Sequence, residues 1–211
     1  VDYSARIKPG DRVLIEATTA AEPLVRALYS RIMEVGGHPV SLLELPDQDE
    51  IFFAHAKEEH LNYVPPFHQI AFEKFDVLLK VRADTHTRAL TNVDPAKQAR
   101  RNKSLAPLLR AQLKRGAEGS LRWMSTLFPT RAYAMEADMG YEEFQDFVFG
   151  ACHADDQTAD PVAFWQSVKA KQQTYIERLE GHGRVELLGP NLELTLSIKG
   201  RKFVNGCGHS N

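Results

Sequence analysis

Apolar residues change their spacing several times along the chain, and each change marks an element. Val13 to Ala17 form a short apolar run behind the turn pair Pro9-Gly10, which predicts a buried strand. Leu24, Leu28, Ile32 and Val35 then recur at helical spacing, Gly36-Gly37 supplies a C-terminal stop, and Val40 to Leu45 predicts a second strand. A strand, a helix and a strand in that order predict a βαβ unit, with parallel strands and a right-handed crossover.

The following stretch, "DQDEIFFAHAKEEHLNYVPPFHQIAFEKF", predicts two short helices broken at Pro65-Pro66, because proline lacks a backbone donor and clashes with the preceding turn. "DVLLKVRA" predicts a third strand. Asp94-Pro95 is a cap followed by proline at the first helical position, opening a basic helix that Pro107 is expected to bend, and "SLRWMSTLF" predicts a fourth strand. Two helices come next. Phe144, Phe147, Val148 and Ala151 share a face of the first, while Asp160-Pro161 caps the second, whose stripe is Trp165, Val168, Gln172, Tyr175, Ile176 and Leu179. From Arg184 the period is two, and "RVELLG", "LELTLSIKG" and "KFVN" predict strands joined at Gly-Pro-Asn and Lys-Gly-Arg turns. The expected fold class is α/β: a mainly parallel sheet flanked by helices, with an antiparallel strand set at the C-terminal end. The simplest domain count is a single α/β domain over residues 1–205.

Charge and composition then narrow the function classes. With 26 basic and 28 acidic residues the formal charge is −2, so no global field draws the chain to nucleic acid or to an anionic membrane. The longest basic run, "KQARRNK" from Lys97 to Lys103, lacks interleaved aromatics on which bases stack and reads as a solvated helix face. Cys152 and Cys207 lie far apart, which signals neither a disulfide framework nor a zinc knuckle and fits a reducing cytoplasm. No run reaches the roughly 20 apolar residues of a membrane span, and the N-terminus has no apolar signal region.

Candidate chemistry is sparse. The first βα turn, "ATTAAEP", contains no glycine, so its backbone cannot approach a pyrophosphate closely; Thr19 with Glu22 reads as a capping box, and Pro23 suits an early helical position. "HAKEEH" places His55 and His60 five apart, about 140° around a helix, whereas metal-binding pairs sit four apart at about 40°. "CHADD" offers Cys152, His153, Asp155 and Asp156, but adjacent residues rarely converge on one ion and the aspartates suit a turn and the next helix cap. Phe144, Phe147, Phe149, Trp123 and Trp165 are expected in the core. In the tail "KFVNGCGHSN", Cys207 and His209 form an incomplete tetrahedral set. No residue stands out as catalytic, cofactor-binding or metal-binding.

Four stretches resemble one family in order and across nearly the whole chain. They are "DYSARIKPGDRVLIEATTAAEPLVRALYSRIMEVGGHPV", "THTRALTNVDPAKQARRNKSLAPL", "FPTRAYAMEADMGYEEFQDFVFGACHADDQTADPVAFW" and "LGPNLELTLSIKGRKFVNGCGHSN". The wording is similar to the aminopeptidase T and aminopeptidase S group of thermophilic dimetal aminopeptidases. The resemblance implies a cytosolic, homodimeric exopeptidase that removes N-terminal residues from peptides with two divalent metal ions of the Zn, Co or Mn type. It implies a smaller N-terminal α/β domain and a C-terminal domain that carries the glutamate, histidine, tyrosine and aspartate ligands, none of which matches a position here. Residues 206–211 are then expected to begin the linker to that catalytic domain, and the 211 residues alone are expected to be inactive, forming a wall of the active-site cavity. Two other readings stand beside it: a free-standing α/β module binding a small ligand in a sheet-end crevice, and a nucleic-acid binder through Arg100, Arg101, Lys103, Lys114 and Arg115.

Overall fold

In a computed structural model, residues 1–208 are described. They form two compact units, one spanning Val1–Cys152 and a second beginning at His153.

The first unit is built on four parallel strands, β1 (Arg12–Thr18), β2 (His38–Glu44), β3 (Val77–Arg82) and β4 (Arg122–Leu127), in the order β2-β1-β3-β4. Helix α1 (Glu22–Glu34) connects β1 to β2; α2 (Gln48–His55), α3 (Glu58–Asn62) and α4 (Pro66–Lys74) connect β2 to β3; α5 (Pro95–Ala117) connects β3 to β4; and α6 (Arg131–Glu136) and α7 (Tyr141–Ala151) follow. The parallel sheet flanked by helices matches the expected class.

Alternation along β1 decides which helix covers which face. Val13, Ile15 and Ala17 share a core with Val77, Leu79 and Val81 of β3, closed by Val25 and Ile32 of α1. Leu14 and Leu78 point the other way, toward Ala71 of α4 and Leu121. Both faces of the central strands are therefore covered, as a parallel sheet requires. The α1 stop has a full set of terminal bonds: Gly36 N–H donates to Met33 C=O and Gly37 N–H to Ile32 C=O, with Gly36 at φ +83°.

Two polar pins fix the N-terminal edge of the sheet. Arg12 gives its backbone N–H and Nε to Asp76 Oδ2 (both 2.9 Å) and its Nη2 to Oδ1 (2.8 Å). The Arg12 guanidinium holds the Asp76 carboxyl below its ordinary value, so this contribution to stability is present above pH 3.8 and is lost as pH falls through the folded value. Arg122 at the start of β4 donates to Asp11 Oδ2 (2.5 Å) and to the carbonyls of Ala5 and Arg6, anchoring a segment more than a hundred residues away.

Glu16, on the α4 face of β1, behaves oppositely to Asp76. Burial is the main cause that pushes its carboxyl above the ordinary value, with Glu44 adding repulsion, while Lys80 at 3.9 Å and His68 pull it down. A carboxyl raised in the folded state stabilises the fold in its protonated form, fully below pH 4.5 and not once pH has risen through the folded value. Glu16→Gln is therefore expected to raise the melting temperature near neutral pH, with the gain closing below about pH 4.5. A melting series from pH 4 to 8 checks this, and a gain that persists at pH 4 contradicts it.

Several local expectations are corrected. The β2–β3 connection holds three helices: α2 already ends at Ala56, where the backbone turns extended (φ −63°, ψ 125°), well before the prolines. Helix α5 carries Pro107 in its interior, where the sequence placed it, whereas α6 is an added element with no periodic signal because it spans only six residues. Thr19 does not cap α1; a short 3-10 turn over Thr19–Ala21 intervenes, no side chain caps either end, and Glu22 pairs with Arg26 instead. Pro23 does occupy the first turn. On α7 only Phe144 is buried; Phe147 and Phe149 are exposed, because α6 covers a single stripe of the helix.

The second unit contains α8 (Pro161–Leu179), capped by Asp160 Oδ1 accepting from Ala163 N–H (2.9 Å), and an antiparallel hairpin, β5 (Arg184–Gly189) with β6 (Leu192–Ser197), closed by Pro190-Asn191. The expected third strand, "KFVN", is not one. Its Asn205 side chain donates to the Lys169 C=O on α8 (3.0 Å), which ties the segment to the helix, and among the described residues no strand pairs with either hairpin edge. No helix among the described residues is long and apolar enough to cross a membrane.

Candidate functional site

The strand order reverses direction between β1 and β3, since the chain leaves β1 on one side for β2 and returns across it to β3. In an open parallel sheet such a reversal separates the loops at the carboxyl ends of the two strands and leaves a crevice there. Here that crevice is a cleft of about 310 Å³ between the β2–α2 loop and the β3–α5 loop, floored by Thr18.

The β3–α5 loop is held by a chain of side-chain bonds. Thr18 Oγ1 donates to Ala83 C=O (2.8 Å) and Thr130 Oγ1 to Asp84 C=O (2.6 Å), while Thr130 Oγ1 accepts from Tyr133 N–H and so caps α6. The Tyr133 hydroxyl donates to Asp84 Oδ2 (2.8 Å) and accepts from Asp84 N–H (3.2 Å). Burial pushes the Tyr133 phenol up, and the Asp84 carboxylate adds to this, so it remains a donor at neutral pH. Thr87 and Arg88 both reach Glu136, the arginine through two bonds of 2.9 Å. The short helix α6 thus serves as the anchor of the loop that carries His86.

On this scaffold Asp47, Glu50 and His86 come together, with one potential ligand atom from each lying within 4.8 Å of the others. All three are exposed. Asp47 precedes α2 at φ 60° and Glu50 lies in its first turn, so the carboxylates come from the start of α2 and the imidazole from the β3–α5 loop. No motif spacing announces this group; only the strand order brings the two loops together. Chemically it offers two hard oxygen donors and one borderline nitrogen, the donor mix that transition-metal dications accept.

The residues singled out by sequence do not converge. His55 ends α2 and His60 lies on the separate helix α3, where its Nδ1 accepts from Lys57 N–H (3.1 Å). Asp155 Oδ1 accepts from Thr158 Oγ1 in a turn (2.8 Å), and the His153 ring packs on Phe164 with centroids 3.5 Å apart. Among the described residues neither "HAKEEH" nor "CHADD" forms a group of metal donors. Cys207 is buried, the neighbouring Gly208 lies against the Trp165 ring, and His209 falls outside the described residues. Several of the basic residues of α5 make contacts within the fold: Arg100 pairs with Glu58 and Asn62, Arg101 donates to Tyr63 C=O and stacks over Phe52, Lys114 pairs with Glu118, and Arg115 donates to the carbonyls of Phe72 and Ser120.

A sequence model of the thermophilic metalloprotease family, M29, matches residues 1–211. The chain belongs to that family. Family membership implies the use of a divalent metal. Among solved structures, wild-type AmpT from Thermus thermophilus shares the fold, with a TM-score of 0.74 at 19% identity over 93% of this chain. The match covers 51% of the AmpT chain, so the M29 sequence described here spans about half the length of that relative. No curated protein matches it.

The described residues do not fit a two-metal hydrolytic centre. Such a centre holds ions about 3.5–4 Å apart between shared and separate ligands. Asp47, Glu50 and His86 supply three donors, the protein share of a single-ion site and too few to hold two ions, and all three are exposed.

Proposed function

We propose that these residues form the non-catalytic part of a metal-dependent aminopeptidase that removes N-terminal residues from peptides. Its two-metal centre lies in polypeptide outside the 211 residues, and the M29 part described here forms a wall of the substrate cavity and limits substrate size. The observation that carries the reading is the family match along the entire chain. The donor inventory supports it, since the one three-donor group among the described residues is too small for the chemistry. The sequence resemblance supports the aminopeptidase activity, the homodimer and the cytosolic location.

Incubating the 211-residue chain with Zn²⁺, Co²⁺ or Mn²⁺ and an aminoacyl anilide tests this. The expected result is release of aniline no faster than in a metal-only blank, whereas the whole polypeptide turns the substrate over. Turnover by the 211-residue chain overturns the reading.

A second reading has one observation in its favour, the cleft at the strand reversal with Asp47, Glu50 and His86 on its rim. In it the chain binds a small ligand there. Saturable calorimetric binding that His86→Ala removes would favour it.

A further inference from the structure

The β5–β6 hairpin has a pronounced difference between its two faces. Cross-strand partners in an antiparallel ladder share a face. The register Val185↔Leu196, Leu187↔Leu194 and Gly189↔Leu192 therefore gathers five aliphatic side chains on one side. The opposite face carries the pairs Arg184↔Ser197, Glu186↔Thr195 and Leu188↔Glu193, with an ion pair between Arg184 and Glu186. The first face has the composition of a core face, yet Leu187, Leu192, Leu194 and Leu196 are 43, 50, 39 and 45% exposed. Both edges are also unpaired among the described residues, because "KFVN" turns away to α8. A two-stranded sheet in this condition is at best marginally stable in water and needs further strands or a covering layer.

We infer that the apolar face of this hairpin is covered by the part of the same polypeptide that lies outside the 211 residues, so that the hairpin is structurally part of the catalytic half. This inference rests on the reading under Proposed function. The AmpT chain has about as much polypeptide outside the matched region as within it, enough for a second domain. A second copy of this chain is a poorer occupant. The leucine face offers on the order of 300 Å², well short of the roughly 800 Å² per partner of a stable complex. A layer on the same polypeptide does not face the translational and rotational cost of association, so a patch this small suffices to hold it.

Hydrogen exchange on the 211-residue chain and on the whole polypeptide tests the inference. The amides of Arg184–Gly189 and Leu192–Ser197 are expected to exchange at least 100-fold more slowly in the whole polypeptide. The double substitution Leu187→Asp with Leu194→Asp is expected to abolish that protection while leaving the Val13–Ala17 amides unchanged. Equal exchange in both proteins overturns the inference. So does protection within the 211-residue chain that grows with concentration alongside dimer formation in sedimentation, which would make a second copy the occupant. Aminopeptidase turnover of the same whole polypeptide separates the two claims. An active protein with an unprotected hairpin refutes the docking alone, and an inactive one with a protected hairpin refutes the functional reading alone.

Discussion

Ile15→Ala is expected to cost about 2–5 kcal/mol of folding stability, the range for truncating a large aliphatic side chain in a packed core. Ile15 is fully buried in β1, a central strand of the four-stranded sheet, flanked by Ser41 on β2 and Leu79 on β3. Its side chain lies in the cluster that Val25 and Ile32 of α1 close from above. Backbone ladders hold the strand on both sides, so the sheet cannot move in to fill the space, and a cavity remains. Chemical denaturation of both proteins, comparing midpoints at unchanged slope, measures the loss. A loss under 1 kcal/mol would mean that α1 collapses onto the sheet or that this cluster is not the core.

Arg122→Met is the second large effect, expected to destabilise by about 2–4 kcal/mol, below the 3–5 kcal/mol for a wholly buried pair because some water reaches this one. The two side chains are 21% and 14% exposed. Arg122 serves three acceptors at once: the Asp11 carboxylate and the carbonyls of Ala5 and Arg6. Methionine matches its apolar stem but leaves a poorly solvated carboxylate and two carbonyls without their donor. The Asp11 carboxylate keeps its bond from Lys8 N–H (2.6 Å), which does not replace the lost guanidinium. The N-terminal segment should loosen along with the loss of stability, which hydrogen exchange at Ile7 reads directly, since its N–H donates to Val1 C=O (3.2 Å). Adding Asp11→Asn to the methionine variant is expected to recover part of the loss, because it removes the orphaned charge.

Strands were the most legible part of this protein. The central strands β1 and β3 are compact apolar runs, and burial on both faces makes such runs stand out from amphipathic helices. The helix boundaries set by Asp94, Asp160 and Gly36-Gly37 were equally readable, since each depends on bonds within a few residues: Asp94 Oδ1 accepts from Ala96 N–H (2.8 Å), and Asp160 does the same for Ala163. Elements failed where a remote partner decided the outcome. "KFVN" has the alternation of a strand but is tied to α8 through Asn205 rather than joining a hairpin edge, and Phe147 has the spacing of a core residue but no surface to meet.

The candidate site was illegible for the same reason. Asp47 and Glu50 stand more than thirty residues from His86, and nothing in their spacing relates them. They meet because β1 lies between β2 and β3 and the chain reverses its direction of travel across the sheet at that point. Local sequence therefore determined the parallel strands, the helix caps and, through wording shared along the whole chain, the M29 family. Those properties rest on short-range sterics, hydrogen bonding and the burial of runs. Tertiary structure alone decided which loops face each other across the cleft, which arginine holds the N-terminus, and which leucines remain uncovered, because each is a property of strand order and packing between residues far apart in the chain.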